Sequence, residues 1–285
     1  MSTDSVSKAV LITGCSSGIG HATAEHLAGR GWKVYATARR PESISDLEAA
    51  GCKTLALDVN DESSMTEAVR QVEAAEGAVG VLVNNAGYSQ SGPVEEIPLN
   101  DVRRQFETNV FGLVRMCQLA LPGMRRQGWG RIVNVSSMGG KLVFPGGGFY
   151  HGTKHAVEAI SDALRWEVRG FGVDVVIIEP GLIKTGFGDV AAGSVDAAPA
   201  DGPYGDFTAA VAKATREAYE GGLAKLGGGP ETVARKIEKA ISKRRPRARY
   251  TVTPSAKMAL FQRRLMSDRM WDGLLKTQFP QPGSG

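Results

Sequence analysis

Cysteine is nearly missing from this chain: Cys15, Cys52 and Cys117 are the three in 285 residues. They stand too far apart for a disulfide framework or a zinc site, so no metal is expected and a reducing, cytoplasmic setting is. Long apolar runs are missing too. No stretch is long enough to span a bilayer, and the opening MSTDSVSKAV has no signal-peptide layout. Charge of one sign is not in large excess: 34 lysines and arginines face 30 acids, leaving +4. No nucleic-acid motif accompanies that balance, and no nucleic-acid partner is expected. The one local excess is SKRRPRARY, where Lys243, Arg244, Arg245, Arg247 and Arg249 crowd together. Such a run suits phosphate, an anionic membrane surface or an acidic partner, or is a solvated turn.

What is present is an alternation. With 42% hydrophobic residues, the chain can bury one substantial core. KAVLIT (8–13), KVYAT (33–37), KTLAL (53–57), VGVLV (79–83), RIVNVS (131–136) and VDVVIIE (173–179) are β-rich runs of nearly continuous hydrophobicity. Such continuity suits strands covered on both faces. Helical patterns over 19–29, 43–50, 62–75, 101–126 and 149–169 separate them. Strand–helix alternation with right-handed crossovers predicts a doubly wound parallel α/β sheet. ARYTVTP offers a seventh strand. There are no repeats and no composition shift, so a single domain over 1–285 is expected. Its core is 8–185, followed by a loop or lid over 186–230 and C-terminal helices with the last strand over 231–285. TGFGDVAAGSVDAAPADGPYGD reads as a long mobile loop before a helix over 207–219, and 255–275 reads as an amphipathic tail helix. The closing PQPGSG is expected to be disordered.

LITGCSSGIGHA ends the first strand and opens the first helix, with Gly14, Gly18 and Gly20 spaced TGxxxGxG. Unpaired N–H groups and the positive dipole end at a helix N-terminus suit a phosphate, and glycine lets backbone come close. Ser16 and Ser17 add hydroxyls. At the end of the second strand stand Arg39 and Arg40, with no acid before Glu42. A guanidinium fork suits a phosphate where a carboxylate would repel it, so NADP(H) is expected over NAD(H).

With TGxxxGxG, NNAG at 84–87 and YHGTK at 150–154, the chain resembles the short-chain dehydrogenase/reductase family from Lys8 to about Thr185. TGCSSGIG, VYAT and SSMGG look most like its hydroxysteroid and retinol dehydrogenase subgroup. The resemblance implies a Rossmann-like sheet of order 3-2-1-4-5-6-7 and a catalytic set Asn109, Ser137, Tyr150 and Lys154; the family's thirteen-residue spacing selects Ser137 over Ser136. It implies cofactor contacts at Gly14, Ser16, Ser17, Gly18, Ile19, Gly20 and Arg39. Asp58 and Val59 match the adenine contact, Asn85, Ala86 and Gly87 the ribose and nicotinamide wall, and Pro180, Ile183 and Thr185 the carboxamide segment. Tyr150 and Lys154 also meet the cofactor. Family members commonly pair through two long helices, here 101–126 and 149–169, so a homodimer or homotetramer is expected.

The residues suit hydride chemistry. A free phenol titrates near 10, and a nearby ammonium favours phenolate. Lys154 lies one helical turn from Tyr150 on a partly apolar face, so Tyr150 can exchange a proton with a carbonyl or alcohol oxygen that Ser137 orients. Asn109 interrupts the stripe Val102, Phe106, Leu113, Met116: a satisfied core amide, or a water link to Lys154. His151 and His155 read as structural or exposed, and Cys15 as packing. The substrate expected is a bulky apolar ketone or alcohol: steroid, retinoid or acyl lipid. A reductase of small carbonyls, quinones or acyl-carrier intermediates, and a non-catalytic NADP-binding regulator, are the alternatives. Peripheral membrane contact through the tail stays open.

Overall fold

The computed structural model describes residues 6–196, 202–221 and 225–283. Seven strands form one sheet: β1 (Val10–Ile12), β2 (Val34–Ala38), β3 (Lys53–Ala56), β4 (Val81–Asn84), β5 (Gly130–Val135), β6 (Val173–Glu179) and β7 (Arg249–Thr251). Their order is β3-β2-β1-β4-β5-β6-β7 and every pairing is parallel, as expected. The helices are α1 (Gly18–Gly29), α2 (Asp46–Ala49), α3 (Glu62–Glu76), α4 (Leu99–Phe106), α5 (Gly112–Arg126), α6 (Gly148–Val168), α7 (Phe187–Asp196), α8 (Gly205–Glu220), α9 (Pro230–Ser242), α10 (Pro254–Leu265) and α11 (Asp268–Lys276). None is long and apolar enough to cross a membrane, among the described residues.

Alternate side chains of each strand serve opposite faces. Val10, Ile12, Val81, Val83 and Val133 pack with Ala24 and Leu27 of α1 and Val233 and Ile237 of α9. Leu11, Leu82, Ile132 and Val175 pack on the other side with Val69 of α3, Met116 and Ala120 of α5 and Val157 of α6. Central strands are therefore covered twice, the physical reason their sequences are continuous rather than alternating.

Three expectations change. The helix over 101–126 is interrupted by a π turn at Glu107–Phe111, which holds the buried Asn109. Just after it, a Cβ on Gly112 would lie 2.5 Å from the Val59 carbonyl oxygen, so the helix passes backbone to backbone under the end of β3. The long loop after Pro180 contains α7 besides the expected helix, now α8; its residues 197–201 lie outside the described ones. The tail is two helices, because the chain turns extended at Met266 and Ser267 caps α11 by accepting from the Met270 N–H. Of PQPGSG, residues 284–285 also lie outside the described ones.

Because the sheet is parallel, residues 13–20, 39, 58–59, 85–88, 136–137 and 180–185 all follow strand carboxyl ends and meet at one pole. This is where a doubly wound sheet opens a crevice.

Candidate active site

The loop after β1 depends on its glycines. Gly14 and Gly18 have φ of +71° and +60°, a region side chains avoid. A Cβ on Gly20 would fall 2.2 Å from the Gly14 carbonyl oxygen and 2.5 Å from Asn85 Nδ2. The loop is laced to the end of β4: Asn85 Nδ2 donates to the Thr13 and Gly14 carbonyls at 3.0 and 2.9 Å, and Thr13 Oγ1 accepts from the Asn85 and Ala86 N–H groups. The Asn85 amide, expected on a cofactor wall, is thus engaged in bracing the loop. Ala86 lies directly against Gly14. Ser17 stands at the N-cap of α1 without a side-chain cap bond, and the exposed Ser16 and Ser17 hydroxyls have no partner among the described residues. A helix N-terminus with free donors and no obstructing Cβ fits a pyrophosphate.

Cys15, fully buried beneath the loop, donates its N–H to the Thr37 carbonyl at 2.7 Å and so ties the loop to β2. Burial pushes its thiol up to about 12, as suits a packing residue. Arg39 follows β2 directly; it is exposed and has no acidic partner among the described residues. Asp58 accepts from the Asn60 N–H at 3.0 Å, and Val59 is buried against Gly112.

Tyr150 and Lys154 lie one turn apart on α6. Lys154 is buried, donates to the Val135 carbonyl at 2.9 Å, and holds its ammonium 5.8 Å from the Tyr150 ring centre. Burial lowers that ammonium to about 8, against the pull of Glu158 a turn further on. The phenol moves the other way from the sequence expectation. Burial raises it above its ordinary value, a hydrogen bond with Ser137 opposes that rise, and the ammonium faces a carbonyl rather than the phenol oxygen. Ser137 Oγ also accepts from the Gly139 N–H at 3.1 Å, which leaves its own hydrogen for a second partner.

Asn109 has every amide group used. Oδ1 accepts from the Tyr88 N–H at 3.0 Å, and Nδ2 donates to the Tyr88 carbonyl at 2.9 Å and to Thr153 Oγ1 at 3.1 Å. It therefore clamps the chain after β4 to α6. A Cβ on Gly87 would lie 3.0 Å from Asn109 Oδ1 and 3.8 Å from Lys154 Nζ, so these three residues share one small space. His151 is buried with Nδ1 3.2 Å from the Gly139 carbonyl, and burial lowers it to about 4. His155 is exposed.

The segment 180–185 closes over the glycine loop. Pro180 accepts from the Met138 N–H at 2.8 Å, Ile183 is buried and pairs with Gly228, and Thr185 lies against Gly18. Two residues without a motif stand near Tyr150. Phe187 of α7 holds its ring 5.4 Å from that of Tyr150, and Tyr219 of α8 packs on Gly188 beside Phe187. The available signal was weak: aromatic residues standing in a Gly- and Ala-rich stretch. No grouping of histidine, cysteine and acids that could hold a metal occurs among the described residues.

Comparison with known proteins gives the family. The model of the short chain dehydrogenase family matches residues 8–192. An NADPH-dependent 3-dehydrocapnine reductase from Ornithobacterium rhinotracheale is 38% identical over 272 residues, covering 92% of this chain and 94% of that protein. A 3-ketodihydrosphingosine reductase from Bacteroides thetaiotaomicron is 42% identical over 181 residues, 63% of this chain and 65% of that one. Among solved structures, a serine dehydrogenase complexed with NADP+ superposes with a TM-score of 0.74 at 29% identity, over 86% of this chain and 94% of that one.

Proposed function

This chain belongs to the short-chain dehydrogenase family and is an oxidoreductase, and from that premise we propose that it is an NADP(H)-dependent enzyme interconverting a ketone and an alcohol on a bulky, lipid-like substrate. The observation that carries the reading is the half-buried Tyr150 phenol, with Ser137 near enough to oppose the rise that desolvation causes and with Lys154 behind its ring, beside an open phosphate cradle.

The nicotinamide cofactor supplies the hydride. Ser16, Ser17 and the first turn of α1 would hold its pyrophosphate, with Gly14, Gly18, Ile19 and Gly20 giving room. Arg39, free at the end of β2, would hold the ribose phosphate that distinguishes NADP from NAD. Asp58 and Val59 would border the adenine; Ala86, Gly87, Pro180, Ile183 and Thr185 would wall the nicotinamide end. Asn85 acts there through the loop it braces. In reduction, Tyr150 gives its proton to the carbonyl oxygen and Ser137 holds that oxygen in place. The Lys154 ammonium favours the phenolate left behind. A phenol raised by burial starts protonated at neutral pH, which suits the reducing direction.

Phe187 and Tyr219 give the pocket an aromatic wall, and the relatives named for 3-dehydro and 3-keto substrates support a lipid-like ketone more than a steroid or retinoid. A turnover screen of long-chain ketones, steroids, retinoids, quinones and small aldehydes with both cofactors tests this. The expected result is NADPH-dependent reduction of long-chain ketones, with Tyr150→Phe losing about 10²–10⁴-fold in turnover and keeping its cofactor affinity. Activity in that variant would remove the proton donor from the scheme; NADH preference would remove Arg39 from it. Trp166 on α6, 78% exposed, and Phe111, 55% exposed, support self-association through 101–126 and 149–169, which light scattering would detect.

A further inference from the structure

The opposite pole of the sheet, where the strands begin, holds a cavity of about 1100 Å³. Its wall is made by residues just before β1, β2, β5, β6 and β7, so it is as far along the strands from the glycine loop as the sheet allows. Seven cationic side chains line it, against one acid, Asp174. Lys8, Arg169, Lys243, Arg244 and Arg245 have no acidic partner among the described residues. Like charges gathered without counter-ions repel, and an anion in their midst would relieve that repulsion.

Arg131 makes this more than a solvated turn. Its side chain is 5% exposed, and it pairs with Asp174 at 2.8 Å. It donates to the Gly130 carbonyl at 2.8 Å and to the Lys243 and Arg244 carbonyls at 3.4 Å, so it fixes the basic segment onto the start of β5. Yet its buried Nε has no hydrogen-bond partner, and neither has the buried Nε of Arg165 on the same wall. Two orphaned guanidinium donors at one cavity are unusual, because buried polar groups are nearly always paired. Trp32 and Trp129 provide an apolar part of the lining.

We propose that this cavity is a second anion site that binds a phosphate or pyrophosphate group, separate from the cofactor cradle. Guanidinium forks match phosphate oxygens two at a time, and the lining includes the exposed Arg244 and Arg245. The phosphate can come from a soluble compound or from a phospholipid headgroup.

The full chain, saturated with NADPH, is titrated calorimetrically with inorganic pyrophosphate at constant ionic strength. Vesicles of phosphatidylglycerol, with phosphatidylcholine as control, form the second arm. Saturable binding is expected in at least one arm, accompanied by a change in tryptophan emission that Trp32→Phe/Trp129→Phe abolishes. Arg244→Ser/Arg245→Ser is expected to weaken that binding at least ten-fold, with melting temperature and turnover unchanged. A pyrophosphate response alone assigns a soluble ligand; a vesicle response alone assigns a headgroup. No saturable binding in either arm overturns the proposal, and so does a double variant that binds as tightly as the parent.

Discussion

The two poles of the sheet handle charge in opposite ways. At the carboxyl pole the working groups are few, desolvated and shifted: the Tyr150 phenol upward, the Lys154 ammonium down to about 8, the His151 ring down to about 4. Desolvation sets their state, and glycines with no room for a Cβ set their geometry. At the amino pole the cations are many and, apart from Arg131, largely at the surface. There the field comes from number rather than burial. A site of the first kind tolerates little change, because each atom is fixed by others; a site of the second kind loses its charges one at a time.

The sharpest break of that contrast is Gly20→Ala. The new Cβ meets the Gly14 backbone carbonyl, and also the Asn85 side-chain amide, which two hydrogen bonds hold in place. Stability is expected to fall by about 3 kcal/mol, the upper end for overpacking, with loss of measurable cofactor binding. Normal nucleotide fluorescence titration in this variant would show the loop to be slack. Next in size is His151. An unfolded histidine gains a proton as pH falls through 6.5, whereas the buried ring resists until about 4. The stability it contributes is whole above pH 6.5 and is lost on acidification through that window, about 3 kcal/mol in all. Denaturant melts of the parent and His151→Gln should therefore converge in acid. Parallel curves across the window would mean that the ring is already charged in the fold.

The same contrast explains what could be read without coordinates. The carboxyl pole was legible because its constraints are local: TGxxxGxG, NNAG and YHGTK each encode one turn or one helix face. The π turn around Asn109 was not: it stands next to Gly112, whose close approach to a carbonyl far away in sequence no local pattern reveals. Nor could sequence show that Asn85 braces the loop, or that Phe187 reaches Tyr150. The amino pole was least legible of all. The run 243–249 was visible, but the fold divides it: Lys243, Arg244 and Arg245 face the cavity, while Arg249 pairs with Glu158, Asp162 and Glu179 beside α6. Lys8, Arg131, Arg165 and Arg169 join the first three only because parallel strands bring their beginnings together.

Smaller effects sharpen the comparison from each side. Arg39→Glu puts a carboxylate at the end of β2, repelling a ribose phosphate and accepting from a free ribose hydroxyl. The ratio of kcat/KM for NADPH over NADH is expected to fall by about ten- to a hundred-fold, or about 1.4–2.8 kcal/mol. An unchanged ratio would place cofactor discrimination elsewhere in the cleft.

Asp174→Asn is the mildest and bears on the amino pole. Stripping the partner from a buried charge can cost about 3–5 kcal/mol, whereas a solvent-exposed pair contributes about 1 or less. Asp174 is 37% exposed, and Arg131 keeps its three carbonyl acceptors, so the lower range governs. A stability loss of about 1 kcal/mol is expected in denaturant melts. With the sole acid of the lining neutralised, pyrophosphate should bind several-fold more tightly. Tighter binding with so small a loss would show that the cations act collectively, as a field does; a loss of several kcal/mol would instead make Arg131 a buried structural ion, and the two poles more alike than their surfaces suggest.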